Sequence, residues 1–355
     1  MSSCILKWRM FMELLKYAYK KYNTLSVVGM AKNAGKTVTL NRLIEEAAEA
    51  QVKLGITSTG RDGERLDLVT STEKPTIYIH EGTLVATAAE TLLASQVKLE
   101  ILEVTNFNTA LGQVVIARAL DSGLVEIAGP TTNHQIKVAA EMMKYFGAEL
   151  ILVDGAINRK TAAAPSITEG TILATGAVIS RNINKAIEDT LHQVRLFNLP
   201  VVEDHEMSLL ARGIIEEKTF AVINQRGEIT YLDIATSLNT GIIIGDAIKE
   251  NSTYIIISGS LTKKTLEDII AVSPYYKNVK IIIKDGTRVF LNSKDWGYFL
   301  KRGISLEVLD KINVLAVTIN PVAPSGYSFN PRDFKEKMQE ALRPIPVVDV
   351  VMEEL

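Results

Sequence analysis

The segment SVVGMAKNAGKTVTL, Ser26 to Leu40, constrains the fold of this chain more than any other. A short β-rich run, LSVV, enters a loop of small residues. The loop opens into KTVTLNRLIEEAAEA, whose apolar residues recur at helical spacing. A strand, a tight loop and a helix N-terminus in that order make a phosphate-binding device. Backbone N–H groups converge on anionic oxygens and the helix dipole favours them. A lysine neutralises charge on the outer phosphates, and the next hydroxyl reaches a divalent cation. Ala31, Ala34 and Gly35 are the small residues, Lys36 the cation and Thr37 the hydroxyl. The common form G-x-x-x-x-G-K-[ST] has one residue fewer between its glycines. Here Gly29 and Gly35 bracket Met30 to Ala34.

The rest of the chain must supply a sheet for that strand. Apolar runs alternate with helical patterns: QVKLGITST, TIYIHEG, KLEILEV, LVEIAG, AELILVDGA and GTILATG read as strands. NTALGQVVIARALDSG, TNHQIKVAAEMMKYFG and NINKAIEDTLHQVRLFN read as helices, and EGTLVATAAETLLAS places a helix after Glu81-Gly82. Strands separated by helices of this length pair in parallel through crossovers, which predicts a doubly wound, mostly parallel α/β sheet. LILV and TILA are apolar without alternation, as strands covered on both faces should be.

Beyond Leu199 the rhythm changes. TFAVINQRGEITYLDI reads as a hairpin turning at Gln225–Glu228, and NVKIIIKDGTRVFLN as a second turning at Asp285-Gly286. The sequence therefore divides into an N-terminal amphipathic helix (1–22), a nucleotide-binding domain (23–199), a smaller α/β subdomain (200–310) and a C-terminal segment (311–355) that resumes the parallel pattern. The N-terminal helix, with Lys7, Arg9, Lys16, Lys20 and Lys21 interleaved among apolar residues, is expected to dock on its own domain or on a partner.

Composition narrows the function. A net charge of -2 gives no electrostatic basis for binding nucleic acid or an anionic membrane. No apolar run reaches the about 20 residues of a membrane span. One cysteine, Cys4, rules out an intramolecular disulfide and fits a reducing cytoplasm. His80, His134, His192 and His205 lack ligand spacing, and no serine has a histidine placed to activate it.

A bound Mg²⁺ needs a carboxylate at the end of a later apolar strand, and Asp154 in ELILVDGAINRK is placed so; an Asp-Gly turn is the alternative. A second carboxylate should follow the second strand. TSTGRDGERLD offers Asp62, Glu64 and Asp67, with Asp62 favoured over a solvated turn. The Asn-Lys-x-Asp pattern of GTP-binding proteins is absent, which favours ATP. Asn320, in LAVTINPVAPSGYSF, is either a base contact or a turn asparagine.

The longer spacing resembles the G-x-x-x-x-x-G-K-T form of dethiobiotin synthetase and its relatives in the SIMIBI branch of P-loop proteins. That resemblance implies a P-loop NTPase sheet, with nucleotide contacts from Gly29, Asn33, Ala34, Gly35, Lys36, Thr37 and Asn320. It implies catalytic roles for Lys36 and Asp62, and Mg²⁺ near Thr37, Asp62 and Asp154. Lys32 stands one place from the signature lysine of the ParA/MinD-type members, so a dimer with a lysine reaching across is not expected.

More of the chain is similar to a second group. GMAKNAGKTVTLN, LGITSTGRDGE, KPTIYIHEGTLVAT, LVEIAGPTT, LILVDGAINRKTAAAPSITEGTILATGAV, DGTRVFLN and LAVTINPVAPSGYSFNP resemble the lysine 5,6-aminomutase reactivase subunit of amino-acid-fermenting bacteria. The resemblance implies an ATP-dependent factor that helps an inactivated adenosylcobalamin-dependent aminomutase to release damaged cobalamin. It also implies a MutS-like partner subunit and the aminomutase as protein substrate. An ATP-dependent ligase of dethiobiotin synthetase type and a non-hydrolysing regulatory subunit are the alternatives. The amino acid served, the oligomeric state and the subunit that hydrolyses ATP stay open.

Overall fold

Runs of apolar residues too short for buried helices become strands covered on both faces, and these organise the chain. The computed structural model describes residues 13–59, 77–155, 164, 167–234 and 239–350. The chain divides into two units, Met1–Ile187 with Asn313–Leu355, and Glu188–Ile312.

The first unit opens with α1 (Leu15–Ala18), β1 (Thr24–Gly29), α2 (Lys36–Glu49) and β2 (Leu54–Ser58). Then come β3 (Ile77–Ile79), β4 (Leu84–Ala88), α3 (Ala89–Leu93), β5 (Leu99–Thr109), β6 (Gly112–Ala119) and β7 (Gly123–Val125). After α4 (Asn133–Tyr145), β8 (Leu150–Asp154) and β9 (Gly170–Gly176), the chain passes through α5 (Ile183–Phe197), within which the division falls.

The second unit holds α6 (His205–Glu216), β10 (Phe220–Asn224), β11 (Ile229–Leu232), α7 (Thr240–Ala247), β12 (Ser252–Ile256) and β13 (Leu261–Thr262). It continues with α8 (Lys263–Val272), β14 (Lys280–Ile283), β15 (Val289–Phe290), α9 (Ser293–Lys301) and β16 (Ser305–Val308). The chain returns to the first unit with β17 (Val314–Asn320), α10 (Pro331–Leu342) and β18 (Val347–Asp349).

Nine strands form the main sheet, in the order β18-β17-β9-β1-β8-β2-β4-β6-β5. The first seven run parallel; β6 and β5 close the sheet antiparallel. Leu150 and Leu152 of β8 face one core with Leu40, Leu43 and Ile44 of α2. Ile151 and Val153 face the other with Ile136, Ala139 and Met143 of α4. The chain is thus α/β, built on a large mostly parallel sheet of the kind that P-loop and dinucleotide-binding folds use. Among the described residues, no helix is long and apolar enough to cross a membrane.

Of the expected N-terminal helix (1–22), the described residues form only the short helix α1, which begins at Leu15 and packs into this core. Leu14, Leu15 and Ala18 are fully buried. Glu46 of α2, itself buried, accepts the backbone N–H groups of Glu13, Leu14 and Leu15 at 2.7–3.3 Å and Arg42 Nε at 3.1 Å. One carboxylate thereby satisfies the orphan donors of a helix start.

Three sequence expectations give way. NTALGQVVIARALDSG is not a helix: β5 and β6 form an antiparallel hairpin through Ala110-Leu111, with Thr109 opposite Gly112 at φ 91. Val114, Val115 and Ile116 are buried on both faces of the sheet, so β-branched packing overrides the helix-favouring Ala, Leu and Arg around them. EGTLVATAAETLLAS is half strand and half helix: Leu84–Ala88 form β4, buried throughout between β2 and β6, and the helix is confined to Ala89–Leu93.

Asp285-Gly286 is not a hairpin turn either. Asp285 is extended at φ -159, and its carboxylate accepts Thr287 N–H at 2.9 Å, which starts a 3₁₀ turn. The following β15 pairs in parallel with β13 and not with β14. The other expected hairpin is present: β10 and β11 pair antiparallel around a turn in which Asn224 Oδ1 accepts the N–H groups of Arg226 and Glu228, with Gly227 at φ 77. In the second unit β11-β10-β12-β14-β16 form a five-stranded sheet, parallel across β12, β14 and β16.

Candidate functional site

The carboxyl ends of parallel strands leave backbone groups and loops facing outward, and ligands of open α/β sheets bind there. β1 is buried up to Gly29. Met30 N–H then bonds to Ala174 O of β9 at 2.9 Å, tying the loop's start to the neighbouring strand. A Cβ on Gly29 would stand 3.3 Å from Ala31 O, so the loop turns tightly over this residue. Asn33 takes φ 64 and Gly35 φ 95, two left-handed residues around the buried Ala34. Such a sequence of conformations turns successive N–H groups toward one side.

Gly35 is the N-cap of α2, and no side chain caps that helix. Its first turn therefore presents donors and the positive end of a 14-residue dipole at the loop's mouth. Thr37 sits in that first turn, partly exposed.

The strand beside β1 brings in the carboxylate. Val27 lies opposite Asp154 in the β1–β8 register, and Ser58 at the end of β2 lies opposite Asp154 on the other side. Lys36 Nζ and Asp154 Oδ1 are 2.5 Å apart, with side chains 17% and 19% exposed. The structure thus brings together two residues 118 apart in sequence. Gly155 N–H bonds to Val27 O and Thr59 N–H to Asp154 O, which fixes the backbone on both sides of the aspartate. Asp62 lies outside the described residues, as do Glu64 and Asp67. Among the described residues no group of three or more His, Cys, Asp or Glu side chains is placed to hold a metal ion. Mg²⁺ asks for less, since it is usually held by one or two carboxylates together with substrate phosphates and water.

Asn320 ends β17, two strands from β1. Its Oδ1 accepts Val322 N–H at 3.0 Å and its Nδ2 donates to Asn33 O at 3.4 Å. Both ends of the amide make contacts with protein, as in a turn asparagine that also touches the loop after β1.

Other parts of the site carry no motif. Thr39 of α2 and Thr318 of β17, both buried, share a hydroxyl hydrogen bond of 2.7 Å that seats the helix on the sheet. Ser58 Oγ accepts Gly129 N–H at 3.0 Å and donates to Ile127 O at 3.2 Å. A Cβ on Gly129 would lie 2.0 Å from Ser58 O, so the AGP run crosses directly over the end of β2. Small residues at strand ends are the one sequence signal for these contacts. Comparison with protein-family models, with curated proteins and with solved structures returned no match.

Proposed function

We propose that this chain is an Mg-ATP-binding P-loop protein that serves as a reactivating factor for an adenosylcobalamin-dependent amino-acid aminomutase. The observation that carries the nucleotide reading is the Lys36–Asp154 pair: Lys36 opens the uncapped helix α2 behind a glycine-bounded loop, and Asp154 ends the parallel strand beside β1. The donor set fits the group. Backbone N–H groups of the loop and first turn of α2 suit phosphate oxygens, Lys36 suits the outer phosphates, and Thr37 with Asp154 suits Mg²⁺. A bound Mg-nucleotide would supply negative charge to this mouth and a hard cation for Asp154. Lys36 is the mobile partner: it is held by Asp154 in this structure and turns to phosphate when a nucleotide is present.

The work driven by that exchange is read from the resemblance of the seven segments. A switch requires only that nucleotide favour one conformation of the chain over another. A MutS-like subunit and the aminomutase are the expected partners, and the cytoplasm is the expected compartment. Two experiments test the proposal. Lys36→Ala should abolish ATP binding in calorimetry; unchanged binding refutes the nucleotide reading. Inactivated aminomutase should regain turnover when given this protein, its partner subunit, Mg-ATP and fresh adenosylcobalamin. No recovery with folded proteins refutes the reactivase reading, and ATP turnover that waits on a small acid or amine supports a ligase instead.

A further inference from the structure

A loop with two left-handed residues needs something to hold it, because one of them, Asn33, carries a side chain. Gly35 leaves little room for a Cβ: one built there would stand 3.1 Å from Asn320 Cβ. On the other side, a Cβ on Gly176 would stand 2.4 Å from Asn320 O. Asn320 thus fills the space left by two glycines, one in the phosphate loop and one at the end of β9. Its orientation is set, because Oδ1 takes the Val322 N–H and the donor end must then face Asn33 O. At 3.4 Å that bond is long, and the missing Cβ of Gly35 is what lets Asn320 Cβ lie over the loop. Two residues upstream, Thr318 grips Thr39 through a buried hydroxyl pair. The same strand end therefore holds both the loop and the helix behind it.

From this we infer that Asn320 is a positioning residue that keeps residues 33–35 in the phosphate-receiving conformation before any ligand arrives. The inference deepens the nucleotide-binding reading and rests on it for ligand identity, but the preorganisation itself is measurable without nucleotide.

The test uses the full chain with Asn320→Ala and Asn320→Asp. The aspartate keeps the side chain's shape and the acceptor for Val322 N–H and removes the donor to Asn33, so it carries the test if the alanine variant does not fold. Amide hydrogen exchange across residues 31–37, without nucleotide, should accelerate by about tenfold in both variants. Unchanged exchange there overturns the inference. Titration with ATP and with GTP should show affinities lowered by the same factor, about tenfold, for both. A loss confined to one base overturns the inference by making Asn320 a base contact. Wild-type protein that binds neither nucleotide refutes the nucleotide reading alone, and accelerated exchange then still supports the positioning role.

Discussion

The Lys36–Asp154 pair makes a prediction that joins stability to binding. At 2.5 Å and an effective dielectric near 20, the gross attraction is about 7 kcal/mol. Most of it is offset by the water each ion gives up. The side chains are 17% and 19% exposed, so the pair lies between a surface pair, worth about 1 kcal/mol at most, and a buried one, whose breaking costs about 3–5 kcal/mol. A coupling of about 2 kcal/mol is expected. The assay is a double-mutant cycle of Lys36→Ala and Asp154→Ala, read by urea unfolding without nucleotide. Each single variant should lose about 2 kcal/mol, and the double variant little more than either. Asp154→Ala should also release Lys36 for phosphate, tightening ATP binding in Mg-free buffer by about tenfold while removing the gain that Mg²⁺ brings to the wild type. A coupling below about 0.5 kcal/mol, or weaker Mg-free binding in Asp154→Ala, refutes the idea that the aspartate holds the lysine back.

Glu46→Ala leaves three N–H groups at the start of α1 without their acceptor, and should cost about 3–5 kcal/mol in unfolding free energy. Glu46→Gln, which keeps an acceptor oxygen, should cost less, and equal losses would contradict the role of the charge. Gly129→Ala forces a methyl group onto Ser58 O and should cost about 2–4 kcal/mol, checked by the shift in urea midpoint. Tyr19 has its phenol raised above 10.0 by burial and by its hydrogen bond to Glu149. The unfolded state therefore loses this proton first, so the group's contribution is complete below pH 10.0 and disappears as pH rises through the folded value. Tyr19→Phe should flatten the alkaline limb of a stability–pH profile, and an unchanged limb would show that other groups set it.

Local sequence carried far in some places and little in others. The tight Gly29–Gly35 loop between β1 and α2, β8 with its terminal Asp154 and the α4 helix are all written in short stretches, where an apolar run, a glycine or a 3.6-residue period decides the outcome. The β5–β6 hairpin was not legible because GQVVIARA mixes β-branched residues with good helix formers. Only the place of β6 beside β4, with Val114–Ile116 buried, settles it. Asp285-Gly286 misled for a related reason: the dipeptide favours a turn, and the Asp285 carboxylate directs that turn into a 3₁₀ start. The contact of Asn320 with the loop after β1 could not be read at all, since Asn33 lies 287 residues away.

That separation has a consequence for the order in which the molecule is made. Lys36 and Asp154 emerge early, but β17, the strand that packs against the Gly29–Gly35 loop, follows the whole of the Glu188–Ile312 unit. Thr318 meets Thr39 across 279 residues. Contacts so distant along the chain form late and slowly, because the intervening segment must be closed into a loop first. During synthesis on the ribosome the second unit is complete before β17 exists, and until then β9 lacks its neighbour on that side and stands as the open edge of the parallel sheet. Completion of the support around the Gly29–Gly35 loop is thus among the last events of folding, and a nascent chain stalled before Asn313 carries the loop without the strand that packs against it.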